Sequence, residues 1–243
     1  MKNYNKILII KCGTTYSELY PQHGDFDDWL MAGTGLSEEE VTVVAVYQNE
    51  ILPDAGECAA AILSGSHAMV TDKTTWMENL AEWIRGAVVK NRPLLGVCFG
   101  HQMLGYALGG KVGFNPNGLE FGTREIRLAG TTSGDRMFAG FPATFKAHLS
   151  HAQALVDLPP GSVRLASSTL DPNQAFRFGE TTWGVQFHPE YTPPITTEYI
   201  RQVESHLRRR GVDVEALKAQ VEPTPESNRI LQRFAHIVKD RSS

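Results

Sequence analysis

The sequence predicts an α/β fold with a mostly parallel central sheet and a small antiparallel β addition. Continuous apolar runs alternate with amphipathic stretches in the first half, which is typical of parallel strands covered by helices on both faces. In the middle, short strand-like segments are separated by Gly, Pro, Asn and Asp, which favours antiparallel hairpins. The chain has 243 residues and is 42% hydrophobic. We therefore expect one domain over 1–243 with a substantial core.

The individual elements follow in chain order. Apolar strands are predicted at 6–11, 41–46, 60–63 and 93–97. Helical periodicity covers 78–90, and a second helix over 101–108 ends at the Gly109-Gly110 pair. The antiparallel strands are predicted at 123–128, 144–147, 163–168, 174–178 and 182–187. Two final helices, 195–210 and 227–239, are separated by Pro223 and Pro225.

Composition and charge exclude several classes of protein. The formal net charge is −4, and no long basic stretch is present, so we expect no nucleic-acid partner. Three widely spaced cysteines form neither a disulfide framework nor a metal-binding motif, which favours a reducing compartment. The N-terminal residues lack the pattern of a signal peptide, and no apolar run is long enough to span a membrane. The expected location is the cytoplasm.

Cys98 lies where an apolar strand meets a helix, in the stretch Gly96-Val97-Cys98-Phe99-Gly100. A nucleophile at such a sharp turn projects clear of the sheet, and its neighbours two residues away must be small. The helix that follows directs free N–H groups and its positive dipole end at the sulfur. The backbone N–H of Phe99 is then a natural oxyanion donor. A buried structural cysteine is the alternative.

His188 is the candidate base, in the segment Trp183-Gly184-Val185-Gln186-Phe187-His188-Pro189-Glu190. An apolar strand delivers it, and Pro189 forces a turn directly after it. Glu190 follows two residues later, within reach of the imidazole. His101 also lies beside Cys98, but the first helical turn directs its side chain away. A thiol, a base and a group that orients the base form a nucleophilic triad.

These two motifs together resemble the class I glutamine amidotransferase family, and the similarity covers most of the chain. The chain is similar to stand-alone proteins that resemble the amidotransferase domain of GMP synthase, and to plant-type γ-glutamyl peptidases. The resemblance implies a flavodoxin-like three-layer sandwich and a Cys98-His188-Glu190 triad. Cys98 would attack the side-chain amide of glutamine, His188 would protonate the departing ammonia, and water would hydrolyse the γ-glutamyl thioester.

The resemblance also implies residues that bind the substrate. The family carries a Ser-Gly-Gly-Pro-like oxyanion segment where this chain has Ser64-Gly65-Ser66-His67, so Ser66 is expected to donate its backbone N–H and Gly65 to contact the substrate. Gln102 corresponds to the family glutamine that helps to bind the substrate. Ser150 and His151 match the segment beside the ends of the substrate. Glu120 matches an acidic position that we interpret as structural.

Two enzymatic functions stay open at this point. An amidotransferase would pass ammonia to a separate synthase subunit, since no ATP-binding phosphate loop is present in the sequence. A γ-glutamyl peptidase or hydrolase would work alone, and the segments 24–29 and 191–194 resemble that group. A binding protein without activity is a third hypothesis, but all three triad residues are present. A metal site built from Cys98, His101, His148, His151 and His188 matches no structural zinc spacing. No metal and no cofactor is expected.

Overall fold

The computed structural model of the chain describes residues 6–242. Its strands are β1 Ile7–Lys11, β2 Val41–Ala45, β3 Ala60–Leu63, β4 Leu94–Val97, β5 Lys111–Phe114, β6 Glu120–Leu128, β7 Thr144–His151, β8 Gln153–Asp157, β9 Val163–Ser167, β10 Ala175–Phe178 and β11 Thr182–Val185. Its α-helices are α1 Tyr20–His23, α2 Phe26–Thr34, α3 Thr75–Val89, α4 Phe99–Ala107, α5 Pro193–Gln202, α6 Glu204–Arg209, α7 Val214–Ala219 and α8 Pro225–Ser242. Short 3₁₀ helices lie at Val46–Gln48, Ala55–Glu57, Val70–Asp72 and Gly130–Gly134.

A nine-stranded sheet in the order β2-β1-β3-β4-β11-β10-β9-β6-β7 forms the centre of the fold. The strands from β2 to β11 pair in parallel, and those from β11 to β7 pair antiparallel. β11 is therefore shared between the two halves of the sheet. It ends beside β4, so the segments that follow these two strands meet at the same edge, where open α/β sheets place their ligands.

Helices cover both faces of the parallel half. Alternate residues of β1 separate into two cores, with Ile7 and Ile9 on one face and Leu8 and Ile10 on the other. The first core contains Leu30 of α2 and Phe234 of α8, and the second contains side chains of α3 and α4. This is the predicted three-layer sandwich with its antiparallel addition.

Several local predictions differ from the structure. The single helix predicted over 195–210 is wrong, because the chain bends at Val203 and forms α5 and α6 instead. The apolar residues continue at helical spacing through this bend, so the sequence does not indicate it. Tyr199 packs in one hydrophobic cluster, while Ile200 and Leu207 pack in another. Helices α1, α2 and α7 and the separate β5–β8 pair were not predicted.

Two strands near the candidate site, β6 and β7, are longer than predicted, whereas β11 ends at Val185, two residues before its predicted end. β6 begins at Glu120 and β7 continues to His151, and all of β7 pairs with the first eight residues of β6. This pairing places Glu120 directly opposite His151. Among residues 6–242, no helix combines the length and apolar character that crossing a membrane requires. Residues 1–5, on which the expectation of no signal peptide partly depends, lie outside the described residues.

Candidate active site

Cys98 occupies a strained turn between β4 and α4. Its backbone has φ 50° and ψ −102°, a conformation that costs a non-glycine residue about 1–3 kcal/mol. A Cβ atom at Gly96 would lie 2.4 Å from the carbonyl oxygen of Gly100, and one at Gly100 would lie 2.4 Å from that of Leu63. Neither position can hold a larger residue without a shift of backbone. The glycines on either side of Cys98 therefore permit the predicted nucleophile turn.

The segment after β3 is fastened to this turn. Ser64 accepts a hydrogen bond from the Gly100 backbone N–H through its carbonyl oxygen, at 3.2 Å. Its side chain accepts from the Cys12 backbone N–H and donates to the Gly65 carbonyl, each at 2.9 Å. Phe99 is the first residue of α4, where backbone N–H groups have no acceptor within the helix. The loop with Gly65 and Ser66 and the start of α4 thus face the same space beside Cys98.

His188 is held by three contacts. Its Nδ1 donates to Glu190 Oε1 at 2.7 Å, and its backbone N–H donates to the His148 carbonyl at 2.9 Å. Its ring stacks on Tyr191, with the centroids 3.9 Å apart and the planes inclined by 17°. Nε2 has no hydrogen-bond partner among the described residues. The ring nitrogen needed for proton transfer is therefore the one that the protein leaves available.

The charges around His188 favour its protonated form. Burial disfavours the imidazolium, but the Glu190 carboxylate, and after it the charge of Cys98, outweigh burial and raise the pKa of His188 to about 10. Both His188 and Glu190 are buried, and charges interact strongly away from water. A negatively charged sulfur beside an imidazolium is the form in which a cysteine nucleophile attacks.

Gln186 is a contact of Cys98 that the sequence reasoning did not assign. Its Nε2 donates to Cys98 Sγ at 3.5 Å, and its Oε1 accepts from Gln102 Nε2 at 3.0 Å. Gln102 Nε2 also donates to the Gln153 carbonyl at 2.8 Å. This chain of hydrogen bonds orients the Gln186 amide so that a donor faces the sulfur. The sequence did contain a signal for this contact: Gln186 lies two residues before His188, so in an extended chain its side chain points to the same side as His188 and away from Phe187.

A cavity of about 170 Å³ opens beside Cys98 and His188. The predicted site residues that line it are Ser66, Cys98, Phe99, Gln102, Ser150, His151 and His188. Glu190 lies behind His188 as seen from the cavity. Gly65 lies beside His188, since a Cβ at Gly65 would be 3.3 Å from His188 Cε1. The structure thus brings every predicted site residue to one region. Both N–H groups of Gln102 are already donated within the protein, which leaves its carbonyl oxygen for a ligand.

A buried polar cluster lies behind the cavity. His151 Nδ1 donates to the Gln153 carbonyl at 3.0 Å, and its Nε2 lies 3.2 Å from Glu120 Oε2. Glu120 also accepts from Ser168 and Gln174. Donor atoms of Glu120, His151 and Asp171 lie within 4.8 Å of one another, which is a spacing that could hold a metal ion. Hydrogen bonds within the chain already engage both oxygens of Glu120, in agreement with a structural role.

Two further histidines close to the turn stay neutral. Burial lowers the pKa of His101 to about 3, and its ring packs edge-on against Phe176, outside the cavity. Burial and the charge of His188 lower the pKa of His148 to about 4. Neither can compete with His188 for the proton of a neighbouring thiol at neutral pH.

Residues 26–204 match the family model of the class-I glutamine amidotransferases. The chain belongs to this family. Among curated relatives, a GMP synthase [glutamine-hydrolyzing] of Porphyromonas gingivalis is 38% identical over 152 residues, which cover 61% of this chain and 28% of that protein. The chain thus spans less than a third of that GMP synthase. Gamma-glutamyl peptidase 3 of Arabidopsis thaliana is 28% identical over 173 residues, covering 70% of this chain and 69% of the peptidase.

Solved structures of amidotransferases share the fold. A glutamine amidotransferase from Thermotoga maritima superposes with a TM-score of 0.72 at 21% identity and covers 98% of both chains. A glutamine amidotransferase from Methylobacillus flagellatus also gives a TM-score of 0.72 at 21% identity, covering 98% of this chain and 95% of that one. These likenesses confirm the flavodoxin-like sandwich.

Proposed function

We propose that the protein hydrolyses the γ-amide of a glutamyl substrate through a thioester on Cys98. The observation that carries the proposal is the position of His188, with its Nδ1 fixed by Glu190 and its other side toward Cys98. Glutamine is the simplest such substrate, and the products would be glutamate and ammonia. The names of the GMP synthase and gamma-glutamyl peptidase relatives support this class of substrate.

The proposed reaction has two halves. The sulfur of Cys98 attacks the amide carbon, and the oxyanion is stabilised by backbone N–H groups at Phe99 and Ser66. The His188 imidazolium gives its proton to the departing nitrogen as the C–N bond breaks. A water molecule then attacks the thioester carbon while His188 accepts a proton from the water. Glu190 keeps the ring in place and balances its charge throughout.

Glutamate release by the purified protein alone tests this proposal. We expect release from glutamine or from a γ-glutamyl conjugate, and none from Cys98→Ala. A diazoketone analogue of glutamine should label Cys98, and mass spectrometry of the digested protein locates the label. Turnover retained in Cys98→Ala, or labelling at Cys12 or Cys58 in place of Cys98, would contradict the proposal. Cys12 and Cys58 are matched controls because both are free and buried.

The acceptor of the nitrogen distinguishes two versions of this function. In an amidotransferase, a separate synthase subunit in the cytoplasm would receive the ammonia, as the GMP synthase relatives suggest. In a stand-alone γ-glutamyl hydrolase, an amine would leave and water would complete the reaction. The aromatic residues that line the cavity favour the second version, since ammonia offers nothing for them to contact. Activity of the isolated chain on a conjugate, but not on glutamine, identifies the hydrolase.

A further inference from the structure

An aromatic wall lines one side of the cavity. It consists of Tyr16, Phe26, His67, Tyr191 and Tyr199. The rings contact one another in sequence, with centroids 4.9 Å apart for Tyr191–Tyr199, 5.2 Å for Tyr199–Tyr16, 4.3 Å for Tyr16–His67 and 6.2 Å for His67–Phe26. The wall begins at the candidate base, because Tyr191 stacks directly on His188.

The rest of the cavity has a mixed lining, in which polar residues lie beside the apolar side chains of Ala68, Met69, Phe99, Phe121, Ala152 and Val203. The polar residues there are Gln102, Ser150, His151 and Gln153. Gln102 and His151 both donate hydrogen bonds to the Gln153 carbonyl, and Ser150 precedes His151 at the end of β7. Within the described part of the chain, no Asp, Glu, Lys or Arg lines the cavity. A substrate with a charged leaving group would therefore lose its hydration without gaining an ion pair, which is costly.

The proton donor fixes where the leaving group lies. His188 must come within hydrogen-bonding reach of the departing nitrogen through Nε2. Whatever is attached to that nitrogen then lies beside His188, and so beside Tyr191 and the other rings of the wall. The glutamyl part extends toward the polar lining. Ammonia would leave the wall unused, whereas an apolar group would bury surface against it.

We infer that the preferred substrate is a γ-glutamyl amide whose leaving amine is uncharged and carries an aromatic ring. This inference rests on the proposed function. The C–S bond forms first and gives a tetrahedral oxyanion. As this intermediate collapses, the C–N bond breaks and the proton of His188 converts the leaving nitrogen to a neutral amine. Water then supplies the hydroxyl group of glutamate and returns a proton to His188.

The wall stands apart from the two main cores of the sheet. Phe26, Tyr191 and Tyr199 belong to a small separate cluster, and Asp25 fixes Phe26 at the cavity by accepting from its backbone N–H at 2.8 Å. His67 lies in the loop after β3. It supplies a ring that is exposed apart from its contacts with the wall.

Four substrates of matched chemistry test the inference. They are γ-glutamylbenzylamide, γ-glutamylmethylamide, glutamine and a γ-glutamyl amide that carries a terminal ammonium group. We expect kcat/KM for the benzylamide to exceed that for each of the others by at least about tenfold, a ratio that one well-placed apolar group can provide. Equal values for the benzylamide and the methylamide, or a preference for the ammonium compound, would overturn the inference.

Variants of the wall identify its contribution. His67→Ala and Tyr16→Ala should lower the ratio of kcat/KM for the benzylamide to that for the methylamide. Phe114→Ala is the matched control, because Phe114 is an aromatic residue that is 69% exposed and lies outside the cavity. It should leave the ratio at the wild-type value. An unchanged ratio in both wall variants would contradict a role for these rings.

Binding to Cys98→Ala separates this inference from the proposed function. Calorimetry should show the benzylamide binding to this variant at least about tenfold more tightly than the methylamide, whether or not the wild-type protein turns either compound over. Tight binding with no turnover by the wild type would remove the proposed function and keep the substrate preference. Turnover of glutamine together with equal binding of the two amides would support the proposed function and contradict the substrate preference.

Discussion

Replacing Glu190 by Gln tests whether the charge of this residue holds His188 in its active form. Gln keeps the size of the side chain and removes the negative charge beside Nδ1, at a bond of 2.7 Å. The pKa of His188 is raised from 6.5 to about 10, and at about 1.4 kcal/mol per pH unit this corresponds to about 5 kcal/mol in favour of the imidazolium. Burial acts against this shift and is its largest single contribution, so Glu190 and Cys98 together supply more than this net amount.

The sign of the pH dependence follows from the raised pKa. His188 in the wild type stays protonated until the pH approaches 10, so labelling of Cys98 should change little across the neutral range. In Glu190→Gln, burial disfavours the imidazolium and the raising charge is gone, so the pKa of His188 falls. We expect labelling and turnover at neutral pH to fall by about a hundredfold or more, and labelling to increase with rising pH.

The assay is the rate of Cys98 labelling by the diazoketone analogue, measured from about pH 6 to about pH 9, the range in which a thiol and an imidazole titrate. Glu120→Gln is the matched control, since Glu120 also faces a buried histidine, His151, at 3.2 Å. It should destabilise the protein while leaving the pH profile of Cys98 labelling at its wild-type shape. A flat profile and a rate within about threefold of wild type in Glu190→Gln would refute the reasoning, as would the same change of profile in both variants.

Two further predictions concern Cys98 and the turn that holds it. Gln186→Met removes the donor 3.5 Å from Cys98 Sγ and should slow Cys98 labelling by about tenfold, which is the effect of losing one hydrogen bond to a charged atom. Gln186→Glu should slow the labelling further. Equal labelling rates in the wild type and both variants would argue against the contact. Gly96→Ala places a Cβ 2.4 Å from the Gly100 carbonyl oxygen and should destabilise the protein by about 1–3 kcal/mol or more in urea unfolding. Gly86→Ala, whose Cβ would meet nothing within 4 Å in the interior of α3, should instead stabilise it by about 0.5–1 kcal/mol. Equal effects of the two alanines would show that the turn has room for a side chain.

Much of the fold follows from local sequence patterns. Strands β1, β3 and β4 are continuous apolar runs because both of their faces are covered, and such runs are visible without any tertiary information. The strand-to-helix turn at Cys98 was predictable because its steric requirement falls on residues only two positions away. The stretch from His188 to Glu190 is local for the same reason, since both ends of the 2.7 Å bond lie in one short turn.

The errors occur where the local pattern carries little signal. β5 is exposed or half-buried along its length and contains Gly113, so it lacks the alternation that marks a strand. The start of α2 depends on a reciprocal cap between Asp25 and Asp28, and the sequence analysis predicted no helix there. At Val203 the apolar pattern continues while the chain bends toward a second cluster, so the break between α5 and α6 has no mark in the sequence.

The sequence by itself determined the family and the positions of the main strands along the chain, and it predicted a triad of Cys98, His188 and Glu190, because each of these depends on neighbouring residues. Only the tertiary structure decided what surrounds the triad. Gln186 reaches Cys98 because β11 lies beside β4. The aromatic wall joins rings from the loops after β1 and β3, from the turn after β11 and from α2 and α5, which are up to 183 positions apart (199 − 16). Contacts between such distant segments depend on how the strands order themselves in the sheet, which no local pattern encodes.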